Sequence, residues 1–284
     1  MKSTRDIKRK INSIKNTQKI TKAMKMVSAA KFRRAQDAFN STIGYADNIK
    51  KIVSHLSAAI EDINNPFFQI RNSGKILVLL ITTDRGLCGA FSSNIIRAFN
   101  SFSSDKNRQD IDVIAVGKKG FESIKRQGFA IPYKLINYGG KITYNDARGI
   151  GEFVRKAFSS DTYKEVYIIY NEFKNVAYQV PFIYKLLPME KADVEDRFID
   201  YIYEPSPEQL LEELLKRYID FTIYNKLLES TMGEHGSRMA AMENATKNAG
   251  EMIDRYVLYY NKARQASITM ELLDIVNCSE AINK

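Results

Sequence analysis

The 284-residue chain has no tryptophan, two cysteines, two histidines and six prolines. Cys88 and Cys278 stand about 190 positions apart, neither a metal spacing nor a disulfide framework, so a reducing, cytosolic setting is the simplest reading. No run of 18 or more apolar residues occurs, and no membrane-spanning helix is expected. The first thirty residues are rich in lysine but lack an apolar core and a small-residue cleavage site, so no secretory signal is expected. A transit peptide is not expected either, because a helical pattern begins almost at Met1. His55 and His235 have no second ligand at HxxE or HxxxH spacing, and no metal or other cofactor is expected.

Proline is also absent from residues 3–63, which hold a single glycine, Gly44. Apolar residues there recur at three- and four-residue steps: Ile7, Ile11, Ile14, Ile20, Met24 and Val27, then Phe39, Ile43, Ala46, Ile49, Val53, Leu56 and Ile60. The stripe is narrow, as in a coiled coil. Pro66 ends it, since the residue before a proline is pushed out of helical geometry. About sixty helical residues span roughly 90 Å, so such a helix needs a long partner.

The other end of the chain supplies one. Ser206 is a suitable N-cap, Pro207 suits the first helical position, and no proline follows. Met239, Met242, Ala245, Ala249, Met252, Tyr256 and Tyr260 mark an apolar stripe through this second helix. Its glycines, Gly233, Gly236 and Gly250, each weaken a helix interior by about 1 kcal/mol relative to alanine, and a bend or fraying is expected across residues 229–237.

Between the helices the pattern changes. KILVLLIT (75–82), IDVIAVG (111–117) and EVYIIYNEF (165–173) are apolar runs suited to strands buried on both faces, with a weaker strand near 133–137. Helical stretches at 92–102, 118–127 and 144–158 alternate with them, and YQVPFIYKLLP and DRFIDYIYE read as later extended pieces. The expected fold class is an α/β insert with a mostly parallel, Rossmann-like sheet, plus a long antiparallel coiled coil of the N- and C-terminal helices. The expected divisions are 1–65 (N-terminal helix), 66–205 (α/β domain) and 206–284 (C-terminal helix), with the longer C-terminal helix outreaching its partner.

Catalytic signatures are missing. TDRGLCGAF follows a strand and opens a helix, but it has only Gly86-x-x-Gly89 and matches neither GxGxxG nor GxxxxGK[ST]. A tight turn fixed by Asp84 and Arg85 is the favoured reading over nucleotide binding. Cys88 reads as a small buried residue. No Ser–His–Asp arrangement is assignable, and catalysis by the chain alone is not expected.

Binding is the remaining possibility. Residues 1–34 hold twelve bases against one acid, a net +11, while the rest of the chain is close to neutral. Such a field suits nucleic acid, anionic lipid or an acidic protein surface, or is a solvated helix face. The first 31 residues have no aromatic side chain and show no nucleic-acid-binding motif, which favours the acidic protein surface. A basic coiled-coil nucleic-acid-binding protein is the alternative.

IKRKINSIKNTQKITKAMKMVSAAKFRRAQ (7–36), TDRGLCGAF (83–91) and YNKARQASITMELLDIV (260–276) together closely resemble the gamma subunit of F-type ATP synthases, end to end and in order. The start at Met1 and the lack of a cysteine-rich insertion resemble the bacterial members. The resemblance implies a noncatalytic rotor in the central stalk of a proton-translocating synthase. It would lie inside a ring of alpha and beta subunits, against epsilon and the membrane c-ring, on the cytoplasmic face of the inner membrane. Nucleic acid would not be a partner. By the same resemblance, Met24 and Arg238 would lie near an acidic loop of beta, and Arg264 and Gln265 would engage its catch loop. Tyr201, Tyr203 and Glu204 would lie near the c-ring and epsilon, and residues 275–282 would run in an apolar sleeve. Cys278 and Ser279 depart from the family's usual Gly-Ala.

Overall fold

The computed structural model describes residues 4–60, 63, 65–191, 204 and 206–282. Its contacts group the chain into two units, Ser28–Arg238 and the pair of segments Met1–Val27 and Met239–Lys284. Two helices run through both: α1, Thr4–Ala59, and α5, Pro207–Ile282.

The larger unit is built on a five-stranded sheet of order β3-β2-β1-β4-β5. Its strands are β1 (Lys75–Ile81), β2 (Ile111–Val116), β3 (Ala130–Leu135), β4 (Tyr163–Asn175) and β5 (Tyr178–Leu187). β1 pairs in parallel with β2 and β4, and β2 with β3. Only β5 is antiparallel, joined to β4 by a short hairpin. Helices α2 (Phe91–Ser103), α3 (Lys118–Gln127) and α4 (Tyr144–Ser159) form the connections. Thr143 starts α4 with a reciprocal capping box to Asp146. The mostly parallel α/β fold expected from the alternating runs is therefore present.

Side chains alternate across the sheet, which makes two cores. Leu77, Leu79, Ile81, Ile114 and Ile168 face α4 and the helix pair, packing with Val53, Leu56, Ile150, Leu215 and Ile223. Ile76, Val78, Leu80 and Val113 face α2 and α3, packing with Ile95, Phe99 and Ile124. Strands buried on both faces must be apolar throughout, and β1 and β2 are buried along almost their whole length.

In the smaller unit the two helices pair antiparallel. Lys25 meets Glu243, Thr21 meets Thr246, and Gln18 reaches the carbonyl of Thr246. Along this part of α1, Thr4, Ile7, Ile11, Ile14, Gln18, Thr21 and Lys25 are buried or half-buried at alternating steps of three and four, with Met24 half-buried beside Lys25. That is a heptad seam. It departs from the apolar stripe read in the sequence: Ile20 is 60% exposed and Val27 57%. The partner stripe uses Met242, Thr246, Ala249, Ile253, Tyr256, Tyr260 and Ala263. Met252, expected in it, is 44% exposed.

The expected bend at 229–237 is not found. α5 is continuous there and buried on all sides. Gly233 and Gly236 are close-packing points: a Cβ would stand 3.2 Å from the ring of Phe91 at the first and 3.4 Å from that of Phe32 at the second. Another required glycine is Gly120, where a Cβ would lie 2.6 Å from Thr82 Oγ1. Gly120→Ala is expected to destabilise the larger unit by about 1–3 kcal/mol, read as a lower urea midpoint; an unchanged midpoint would contradict this packing.

Candidate partner-binding site

The TDRGLCGAF turn lies at the carboxyl ends of β1 and β2. Asp84 Oδ1 accepts from the backbone N–H of Lys118 at 3.0 Å and of Asn137 at 2.9 Å, which ties three loops together. Thr83 Oγ1 donates to the carbonyl of Arg85, and Tyr138 donates to the carbonyl of Thr82. Leu87 and Gly89 take positive φ, of 64° and 57°. Cys88 is buried, as expected, and its burial raises the thiol pKa.

α5 crosses this turn with an unusual load of polar groups. Glu229, Glu234, His235 and Arg238 are all buried. Glu229 accepts from the N–H of Phe173 at 3.1 Å and from Lys226 Nζ at 3.1 Å. Arg238 Nη2 bonds Glu234 Oε1 at 2.6 Å and the carbonyl of Arg85 at 3.4 Å, while Nε donates to the carbonyl of Gly86 at 3.3 Å. Its Nη1 lies 3.3 Å from His235 Nδ1. A guanidinium only donates, so Nδ1 accepts and the imidazole is neutral. Burial lowers the His235 pKa to about 4, with Arg238 and Lys31 adding to the shift. Burial raises that of Glu234, outweighing the opposite pull of Arg238.

Arg238 was expected on a partner-facing surface. It is 9% exposed, and its donors are directed inside the larger unit. Reasoning from the sequence weighed His235 only as a metal ligand and did not single out Glu234 or Ser237. The i, i+4 spacing of Glu234 and Arg238 was the available signal.

The open surfaces are on the smaller unit. Lys19, Lys22, Lys25 and Lys247 line a groove of about 840 Å³ between the helices, and Glu243 is the acid among its lining residues. Met24 is half-buried on α1 and does not line the groove. Arg264 and Gln265 are exposed on α5, just past the end of the buried stripe at Ala263. From Arg264 to Ser279 every residue is exposed, including Ile268, Met270, Leu272, Leu273, Ile275 and Val276. Glu204 is exposed, while Tyr201 and Tyr203 lie outside the described residues. Among the described residues no group of three or more His, Cys, Asp or Glu side chains could hold a metal ion, and no helix is long and apolar enough to cross a membrane.

These features define a class: a mostly parallel α/β domain inserted between two long pairing helices, with exposed cations and apolar side chains carried on the helices. Comparison with known proteins makes the assignment specific. A family model described as ATP synthase matches residues 3–282. The chain is 43% identical to the ATP synthase gamma chain of Pelotomaculum thermopropionicum, over 99% of this chain and 100% of that one. It is 37% identical to that of Legionella pneumophila, over 99% and 100%. Among solved structures it is similar to a chain of the central stalk/c-ring of the Tetrahymena thermophila mitochondrial ATP synthase, with a TM-score of 0.62, 28% identity, and 80% and 99% of the two chains covered. A chain of the Euglena gracilis mitochondrial ATP synthase shares the fold, with a TM-score of 0.73 at 20% identity over 98% and 94%. The chain belongs to the ATP synthase gamma chain family.

His235 gives a pH prediction with a definite sign. Its folded pKa, about 4, lies below the unfolded value of 6.5, so the unfolded state binds the proton more readily between the two. The stability lost on this account as pH falls from 6.5 to 4 is up to about 3 kcal/mol. Glu234 acts in the opposite sense, because its raised folded pKa makes protonation favour the folded state. His235→Gln should therefore reduce the drop in denaturation midpoint between pH 7 and pH 5; an equal drop in both proteins would refute the assignment.

Proposed function

We propose that this chain is the central-stalk rotor of a proton-translocating F-type ATP synthase and is itself noncatalytic. In this reading it couples rotation of a membrane c-ring to the nucleotide sites of beta subunits. It lies within an alpha–beta ring and against epsilon, peripheral to the membrane on its cytoplasmic face. The observation that carries the reading is the bare end of α5: sixteen consecutive exposed residues, 264–279, rich in leucine, isoleucine and methionine. A contiguous apolar surface of this kind calls for a covering partner. A surrounding ring covers it on every side, which a partner on one face would not do.

The remaining contacts follow from charge and reach. Arg264 and Gln265, exposed beside the bare end, offer a fork of donors and an amide to a carboxylate loop of beta. The lysines of the groove, and Met24 on α1, are assigned to an acidic loop passing by, because long-range attraction tolerates sliding better than fixed hydrogen bonds do. Glu204, with Tyr201 and Tyr203, is assigned to the c-ring and epsilon side. Arg238 is left out of the contact set because its donors are engaged internally. The rotor acts by differential contact energy: it stabilises one conformation of a beta site over another, and the preference moves as the shaft turns.

Mixing the purified chain with alpha and beta subunits should yield an assembly that hydrolyses ATP, while the chain alone should not. ATP hydrolysis by the isolated chain, or failure to assemble together with salt-sensitive DNA or RNA binding, would refute the reading. Within the assembly, Arg264→Ala with Gln265→Ala should slow turnover by about tenfold without dissociating it, the loss expected for a charge-assisted contact; full turnover would remove the assigned beta contact.

A further inference from the structure

Two consecutive α5 residues hold the TDRGLCGAF turn by its backbone. Ser237 Oγ donates to the carbonyl of Cys88 at 2.8 Å. Arg238 donates through Nε to the carbonyl of Gly86 and through Nη2 to that of Arg85. Three carbonyls within four residues of the turn are thus bound from a single point on the helix. Gly89, next to the bound carbonyl of Cys88, takes a positive φ of 57°, a conformation that glycine adopts without strain. Glu234 holds the guanidinium from the preceding helical turn at 2.6 Å, and His235 accepts from it on the same side.

The turn is in turn fixed to the sheet. Asp84 bridges the backbones of Lys118 and Asn137, and Thr82 Oγ1 donates to the carbonyl of Val116 and accepts from the N–H of Gly120. A continuous series of hydrogen bonds therefore runs from β2 and α3, through the turn, to Ser237 and Arg238. The larger unit ends at Arg238, and α5 continues without a break beyond it. Hydrophobic packing, as at Gly233 and Gly236, resists separation of surfaces but is not directional. Hydrogen bonds with defined geometry resist rotation of the helix about its own axis.

We infer that Ser237 and Arg238 are positioning residues that clamp α5 to the sheet domain and carry torque between them. The inference rests on the rotor reading above. The clamp grips main-chain oxygens, so it depends on the path of the turn and on the two donors rather than on the turn's own side chains. It matters under load, when the sheet domain must turn together with the helix against a proton gradient. On this inference, unloaded hydrolysis by an alpha–beta–chain assembly makes little demand on the clamp.

The test uses the complete membrane-bound complex in sealed vesicles, reading ATP hydrolysis and ATP-driven proton uptake together, with hydrogen exchange of residues 85–89 measured on the purified chain. Ser237→Ala combined with Arg238→Gln should speed exchange in the turn by about tenfold or more, since it removes up to three hydrogen bonds to the turn. Protons moved per ATP should fall by roughly twofold or more while unloaded hydrolysis stays near wild type. Ser237→Ala alone, which removes no charge, should shift both readings in the same direction by less, and Ser237→Thr, which keeps the hydroxyl, should restore them. Faster exchange with an unchanged proton-to-ATP ratio would show a structural contact outside the torque path and overturn the inference. Unchanged exchange, or a Ser237→Thr protein behaving like Ser237→Ala, would overturn it as well. Failure of the wild-type chain to assemble with alpha and beta would instead remove the rotor reading, and the clamp's role with it.

Discussion

A helix buried on every side has no water to satisfy its polar side chains, and residues 229–238 of α5 carry seven polar or charged side chains under that constraint. Each uncompensated group would cost on the order of 1–3 kcal/mol. Glu229 is met by Lys226 and a backbone amide, and Arg238 by Glu234, His235 and two carbonyls. Ser237 takes a third carbonyl and Thr231 bonds its own helix at Leu227. The strained turn after β1 can hold its shape because these donors meet it. The loops after β2 and β3 keep their places because Asp84 of that turn holds them.

The pairing of α1 with α5 follows two different rules. In the larger unit the contact is mainly hydrocarbon and ring, with Asn225 donating to a buried Thr42: Val53 and Leu56 join Leu215 and Ile223 in the core, and Tyr45 packs on Phe221 with centroids 4.3 Å apart. In the smaller unit the seam includes threonine, glutamine and glycine, with Thr246 donating to Thr21 and Gln18 set against Gly250. Polar residues at core seam positions lower stability but specify which residues face each other. The first rule anchors the helices to the sheet, and the second sets their register.

The sheet was legible in the sequence because a strand buried on both faces leaves a continuous apolar run, and 75–82 and 111–117 are such runs. The start of α5 was legible through Ser206 and Pro207. The seam of α1 was misread where Ile20, Val27 and Ile43 lie near the polar residues that hold the seam, Thr21, Ser28 and Thr42. Periodicity reads apolar character, and here small polar side chains occupy the contact. The stretch 229–237 was misread for a related reason. Its glycines and polar residues resemble a break when taken one at a time, and only the rings of Phe32 and Phe91 show why they are small. Of the expected contact residues, Arg264 and Gln265 are on open surface, whereas Arg238 is enclosed by groups as distant in sequence as Gly86.

The bare end of α5 also has a thermodynamic consequence. Starting a helix is the unfavourable step, because several residues must be fixed before the first hydrogen bond forms. Residues 264–279 extend a helix already held by the stripe that ends at Ala263, so each adds at the cost of propagation alone. A segment whose shape is set in advance loses less conformational entropy on being enclosed than one that must fold on contact. More of the free energy of covering its leucines and isoleucines then remains as net affinity for whatever partner covers them.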